Sequence, residues 1–375
     1  MNILAQNIVI QTHNGRLHSD ECAAVALLTN YYARKNIGVS VLRSRDPSKF
    51  EESDILVDVG GVYDPELLKF DHHQPSFKEI WDSKSSTPLS AAGLIWRHFG
   101  QEIVEMYLTA NSEQYDYSQN HTEDTILDLT NIIYHKLIEE IDANDNGVVL
   151  TNSESLNIPG IISAINCQDT SNDELQNENF NKAVNLIGSI FDIKFKEIID
   201  SYFNYSKDLE SVKKYDIKSA YFIVKEKIPT IFKCLNELDP KLNVKFLIFE
   251  NVSKDTSNDS NHKVEYTIKA RNRNDKKFHP ICPIISEEEL RSKVNNPDDI
   301  IFVHKGGFLA KTTTLEAAED IIVFSMLAQL EEPDNMGVIE KYVDFSLPKT
   351  NKKLIGGAAV IGLAAVGYYM FKNNE

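Results

Sequence analysis

Cysteine is scarce in this sequence. Cys22, Cys167, Cys234 and Cys282 stand far apart among 375 residues and form no C-x-x-C pair, which excludes a zinc ribbon and a disulfide framework and suits a reducing compartment. Basic charge is also short: 39 Lys and Arg face 56 Asp and Glu, a net charge of −17. Such a chain does not hold nucleic acid by general phosphate attraction, so a polyanion has to be gripped locally, by a patch or by metal ions. Only about a dozen residues precede His13, fewer than the 15 to 30 of a secretory signal. The Asn-x-Ser/Thr triplets at Asn120, Asn204, Asn251 and Asn258 are then chance products of an Asn-rich chain. No internal repeat is evident, and 42% hydrophobic with 25% charged residues describes an ordinary globular protein.

The hydrophobic pattern predicts an α/β fold. Ile8 to Thr12 reads as a strand and Asp20 to Ala33 as a helix; Val39 to Leu42 and Ile55 to Val59 are β-branched runs ending in turn residues. This alternation implies a mostly parallel sheet with crossover helices. Helices are expected over Ser90 to Phe99 and Thr122 to Ile141, a polar loop over Asp169 to Asn181, and one long or two joined helices from Phe180 to Ser211. Strands follow near Ala220 to Val224, Val244 to Phe249, Val264 to Lys269 and Ile300 to Val303, then a helix from Thr314 to Leu330. The expected divisions are a metal-binding lobe over 1–150, a helical connector over 151–215, a smaller α+β substrate lobe over 216–332 closing over the site, and a linker over 333–353.

Clusters of His and Asp fall where strands end: His13 with His18 and Asp20, then Asp58, then Asp71-His72-His73, then Asp142 with Asp145. Ligands of open α/β sheets bind beyond the carboxyl ends of strands, so the clusters can converge. Imidazole mixed with carboxylate suits manganese or a related dication better than an all-oxygen cage, and there are ligands enough for two ions. A pair of ions clamping an in-line phosphoryl displacement needs a bridging carboxylate. Of Asp142 and Asp145, one is expected to ligate and the other to cap the following turn, with Asp142 preferred.

Thr12-His13-Asn14-Gly15-Arg16-Leu17-His18-Ser19-Asp20-Glu21, Val57-Asp58-Val59-Gly60-Gly61, Tyr63-Asp64-Pro65, Asp71-His72-His73-Gln74 and Ser90-Ala91-Ala92-Gly93-Leu94-Ile95 resemble the Myg (melanocyte proliferating gene) family of the DHH phosphoesterase superfamily. Asp142 to Gly147 is similar to its next motif, and Phe302-Val303-His304-Lys305-Gly306-Gly307-Phe308 to its C-terminal signature. The resemblance implies a DHH-type lobe and metal-dependent phosphodiester hydrolysis, with RNA or DNA exonuclease activity in the family. It implies that His13 and His18 ligate one ion, Asp20, His72 and Asp142 the other, and that Asp58 bridges them. Asp71 would orient His72, and His73 would touch the substrate phosphate. His18 stands where most DHH enzymes have Asp, which softens that site toward manganese, with magnesium as the alternative. Ser19 departs from the usual Cys.

Gly306 and Gly307 have two readings, a simple turn or a close backbone approach to phosphate with His304 beside them. The basic run Lys269, Arg271, Arg273, Lys276 and Lys277 is either a solvated face or a local grip on an oligonucleotide. The resulting expectation is a manganese-dependent 3'-to-5' exonuclease on single-stranded RNA or DNA, with Arg271 and Arg273 holding substrate. The competing expectations are a small-molecule phosphoesterase and a membrane-tethered inactive binding protein. The membrane enters because Leu354 to Phe371 is uncharged over about 27 Å of helix, close to the roughly 30 Å hydrocarbon thickness, with lysines at both ends. It is expected to be a tail anchor that leaves the catalytic lobes in the cytosol, in the outer mitochondrial or endoplasmic reticulum membrane.

Overall fold

The computed structural model describes residues 7–111, 113, 123–148, 157–253, 263–273, 277–281, 287–292 and 294–330. The chain divides into two compact units, Met1–Phe203 and Asn204–Glu375.

In the first unit, β1 (Asn7–Thr12), β2 (Gly38–Arg43), β3 (Ile55–Val57), β4 (Tyr63–Asp64) and β5 (Lys69–Phe70) form a sheet in the order β2-β1-β3-β5-β4. Every pairing is parallel except β4 with β5. The apolar run Ile8-Val9-Ile10 fits a central strand, and Ile10 and all of β3 are buried. Helix α1 (Ser19–Arg34) carries the chain from β1 to β2, after which the chain crosses past β1, through the 3-10 turn Pro47–Glu52, to β3. The strand order therefore reverses between β1 and β3. That switch point opens a crevice at the carboxyl ends of these two strands, where His13 and Asp58 begin their loops.

Helix α2 (Ala91–Ala110) packs beside α1, followed by α3 (Glu123–Ile133), a π-helical turn (Tyr134–Ile138) and α4 (Glu139–Asp145). The stretch expected as a connector is not a separate body. Helix α5 (Ile158–Ile165) and much of α6 (Asp173–Val212) supply Ile162, Phe180, Ile187, Phe191, Phe195 and Ile199 to the core built on α1 and α2. The loop expected up to Asn181 is helical from Asp173, and its polar Gln176 is buried, its amide spent on the loop after β1.

The second unit holds a five-stranded mixed sheet in the order β6-β7-β8-β10-β9, formed by β6 (Tyr221–Val224), β7 (Phe246–Ser253), β8 (Lys263–Ala270), β9 (Ile300–Val303) and β10 (Leu309–Thr312). Only β6 and β7 run parallel. After the short α8 (Glu287–Arg291), α9 (Leu315–Leu330) packs on one face, with Ile321 and Ile322 against Ile248, Ile268 and Ala310. On the other face α7 (Ile231–Leu238) packs with Phe222, Val224 and Leu247. The expected membrane span, 354–371, lies outside the described residues; among the described residues no helix is long and apolar enough to cross a membrane.

Candidate metal centre

Each motif reaches the crevice for a local reason. His13 is the first residue after β1, and its Nδ1 lies 3.0 Å from the carbonyl of Asn14. That contact sets the ring's orientation and turns Nε2 inward toward the carboxylates. His18 precedes α1, and its N–H donates to both oxygens of Glu21 at 2.9 and 3.1 Å, so the first turn of the helix holds the end of the loop. Asp58 follows β3 with φ of 54°, a left-handed conformation that a non-glycine residue adopts at a cost of order 1–3 kcal/mol. That turn brings its buried carboxylate 3.2 Å from His13 Nε2 and 3.3 Å from His72 Nε2. Burial works to raise the Asp58 carboxyl, but the two imidazoles outweigh it and hold the group below the usual carboxylate range.

The assembled donors form overlapping groups: His13, His18, Glu21 and Asp58; Asp58, His72 and His73; and His18, Asp20 and Asp145. Asp58 and His18 each belong to two of them, and of the pair only the carboxylate has the two oxygens that a bridge needs. Burial raises the carboxyl of Asp20, and the neighbouring Asp58, Asp145 and Glu21 raise it further. Burial pushes Glu21 up to about 7 although His13 pulls the other way. Buried acids crowded in this way carry a repulsion that a cation relieves.

The decisive feature is what these atoms lack. His13 Nε2, both carboxylate oxygens of Asp20, Asp58 Oδ1 and His72 Nε2 are buried and have no hydrogen-bond partner. An unsatisfied buried polar atom costs about 1–3 kcal/mol, and here five converge on one crevice. Imidazole nitrogens and carboxylate oxygens with free lone pairs are the donor set of a divalent transition ion, so the residues fit such a group.

Two assignments change. Asp142 is fully buried and faces away from this group: its Oδ1 accepts from Ser90 N–H (3.0 Å), Ser90 Oγ (2.7 Å) and Gly93 N–H (3.0 Å), and its Oδ2 from Tyr134 Oη (2.9 Å). It satisfies orphan donors at the start of α2. Asp145, one turn further along α4, is the carboxylate that reaches the centre, with Oδ2 3.2 Å from His72 Nε2. Asp71 orients His73 rather than His72: its Oδ1 lies 2.8 Å from His73 Nδ1, while its Oδ2 accepts from Gly61 N–H at 2.6 Å. The His73 imidazole is pushed up to about 9, chiefly by Asp71, and its side chain is 62% exposed beside the centre.

Sequence reasoning missed three participants. Glu21 was visible only as part of a motif. Asn166 and Gln176 carry no motif, yet they clamp the loop between His13 and His18. Leu17 N–H donates to Asn166 Oδ1 at 2.7 Å, Asn166 Nδ2 returns to Leu17 O at 3.0 Å, and Gln176 Nε2 donates to Gly15 O at 3.1 Å. The polar, Asn-rich composition around them was the signal.

In the second unit, Arg271 is 2% exposed and is no phosphate grip. Its guanidinium bonds Asp239 Oδ2 (2.8 Å), Leu235 O (2.8 Å) and Asp239 O (3.0 Å), tying α7 to β8. Arg273 is exposed. At the β9–β10 tip, Gly306 N–H is taken by His304 Nδ1 at 3.0 Å, and Gly307, at φ of 66°, donates to His304 O at 2.8 Å. A Cβ on Gly307 would stand 3.1 Å from the Ile281 carbonyl, so turn and packing together account for that glycine.

Comparison with known proteins places these motifs in a wider set. A family model named MYG1_exonuc, described as an uncharacterised protein family (UPF0160), matches residues 9–326. The MYG1 protein of Dictyostelium discoideum is 30% identical over 340 residues, covering 83% of this chain and 94% of its own length. The MYG1 exonuclease of Homo sapiens is 40% identical over 144 residues, covering 37% of this chain and 35% of its own length. A solved structure of RecJ in complex with Mn2+ from Thermus thermophilus aligns at 15% identity with a TM-score of 0.24, covering 87% of this chain and 52% of that one, too slight a likeness for any residue to be carried across.

Proposed function

Because this chain belongs to the MYG1_exonuc family (UPF0160), we propose that its His–Asp centre makes it a metal-dependent phosphodiesterase, an exonuclease acting 3' to 5' on single-stranded RNA or DNA. The observation that carries this reading is the convergence of five unpartnered buried donor atoms from His13, Asp20, Asp58 and His72. His13, His18 and Glu21, which group with Asp58, would hold one ion; Asp20 and Asp145, which group with His18 and approach His72, would hold the other together with His72, and Asp58 would serve both. Bound there, two dications would polarise the phosphate and clamp the attacking and leaving oxygens of an in-line displacement. The mixed imidazole and carboxylate set favours manganese over magnesium.

The remaining steps belong to the protein's own groups. Asp71 fixes the His73 ring while leaving its outer edge exposed, which suits it to contact a substrate phosphate. Asn166 and Gln176 keep the His13–His18 loop in place when the acidic groups around it repel one another. The test is hydrolysis of end-labelled RNA and DNA oligomers in manganese and in magnesium, beside Asp58→Asn. Metal-dependent shortening from the 3' end, lost in the variant, is expected. Equal turnover of dinucleotides alone would favour the small-molecule reading. The uncharged stretch 354–371, with Lys352, Lys353 and Lys372 at its ends, supports a tail anchor as a further part of the proposal. Carbonate extraction of the full chain would leave it in the membrane fraction, and recovery in the soluble fraction would refute the anchor.

A further inference from the structure

The two phenylalanines that are exposed among the described residues, Phe278 at 43% and Phe302 at 39%, belong to a single chain of rings. Phe302 meets His304 edge to face at 6.0 Å, His304 meets Phe308 at 4.2 Å, and Phe308 meets Phe278 at 5.4 Å. The chain wraps the tip of the β9–β10 hairpin, where Gly306 and Gly307 keep the turn tight and free of bulky side chains. Phe278 is brought there by the isolated bridge from Asn272 to Phe278.

The sheet beside these rings is half open. Phe302 stands opposite Lys311, and Leu309 opposite Lys269, on the face turned away from α9. On that face α7 covers the β6 and β7 side and meets the end of β8 through Arg271, so Lys269 is exposed, with its ammonium 5.1 Å from the Phe249 ring, and Phe302 remains in solvent. Lys305, next to His304, is exposed as well. Glu265 shares the face but lies beyond the far end of β10. In a protein of net charge −17, three lysines gathered beside four aromatic rings suit an anion that also carries flat apolar groups.

We propose that Phe302, His304, Phe308 and Phe278, with Lys269, Lys305 and Lys311 beside them, form a stacking platform for the bases of a single-stranded nucleic acid. The proposal rests on the phosphodiesterase reading only for the choice of ligand. Aromatic faces stack any base while cations track the backbone, so the surface holds a strand without reading its sequence. Its lysines supply the local grip that Arg271, locked in the interior, does not.

The experiment measures binding by the full chain, in chelator so that no hydrolysis occurs, of a labelled single-stranded oligonucleotide of about ten nucleotides. An abasic oligomer of the same length is the control. The parent protein is expected to bind the intact strand more tightly than the abasic one. Phe302→Ala and Phe278→Ala are each expected to weaken the intact strand by about five- to 150-fold, the range for loss of one stacked base, with little change for the abasic strand. Phe302→Tyr keeps a ring and should restore binding. Equal affinity of the parent for both strands would overturn the platform, as would a Phe302→Tyr variant that melts like the parent yet binds as weakly as Phe302→Ala. If the parent is a dimer that Phe302→Ala dissolves, the face belongs to a second copy of the chain and the proposal falls. Hydrolysis of the same oligonucleotide in manganese, measured separately, tells the two readings apart. Turnover without base preference sinks only the platform, and base-dependent binding without turnover sinks only the nuclease.

Discussion

Exchanging Asp142 and Asp145 one at a time separates support from ligation. Asp142→Ala strands four donors, the N–H groups of Ser90 and Gly93 and the hydroxyls of Ser90 and Tyr134. The hydroxyls can turn to other acceptors, but the two amides are fixed in the backbone of a buried helix start, where Asp142 is the acceptor each one meets. At about 1–3 kcal/mol for each stranded donor, a loss of about 4 kcal/mol follows. At roughly 2–4 °C per kcal/mol for a domain of about 200 residues, the Tm falls by about 8–16 °C. Asp142→Asn keeps one oxygen for three of these donors and asks only the Tyr134 hydroxyl to reverse, so its cost is expected near 1 kcal/mol. Its manganese affinity should match that of the parent. Asp145→Asn should melt close to the parent but bind manganese more weakly by at least the ~10- to 100-fold typical of a lost outer-shell partner. Scanning calorimetry with manganese titration measures both. If Asp142→Asn loses the metal while Asp145→Asn keeps it, the assignment of Asp145 to the centre is wrong.

Three further outcomes are expected. Arg271→Ala removes the cation from the buried Asp239 carboxylate, which keeps only the amide donors of Asn243 and Val244, so urea unfolding should show a loss of about 3 kcal/mol; a variant as stable as the parent would contradict the buried pairing. Asn166→Ala frees Leu17 and should weaken manganese binding by about 10- to 100-fold, with the apo Tm changed far less; electron paramagnetic resonance of free manganese measures it, and unchanged affinity would remove Asn166 from the positioning of the loop. His135 sits between Glu139 and Asp82, and although burial opposes them these carboxylates raise its imidazole above the ordinary 6.5. A raised histidine stabilises the fold fully below the unfolded value and loses that contribution as pH rises through the folded one. The Tm gap between the parent and His135→Gln should therefore be widest below about pH 6 and close in alkali, and a gap that does not vary with pH would refute the pairing.

The parallel sheet was legible because Ile8 to Thr12 and Ile55 to Val59 are runs that suit strands buried on both faces, and because their ends coincide with His13 and Asp58. The centre was legible in its motifs, since spacing along strand ends survives folding. What spacing does not encode is which way a side chain points within a helix. Asp142 and Asp145 stand three residues apart on α4, and only the packing of α2, with Gly93 pressed against the Asp142 carboxylate, decides which one faces the crevice. The same limit explains Arg271. Lys269, Arg271 and Arg273 fall two residues apart, which strand alternation places on one side, so the pattern does not tell them apart; the end of α7 reaches Arg271 through Asp239 and Leu235 and buries it, while Lys269 and Arg273 remain exposed. The polar stretch before Asn181 was misread for the opposite reason: amides that look solvated are spent on the backbone of a functional loop.

Helix α6 has a consequence for how such a protein can change over generations. Its forty residues give Phe180 to Ile199 to one core and Val212 to the other, and the division between the units falls inside it rather than in a linker. Modular proteins are shuffled by recombination at exposed joints, where a cut exposes little apolar surface. Here a cut at Phe203 leaves each core its own apolar residues but breaks a helix in mid-run, orphaning about four N–H and four C=O groups at the new ends, so neither half is readily traded or inherited alone. Variation is then channelled into substitutions and surface-loop insertions, with the two halves passing down a lineage as a single heritable unit.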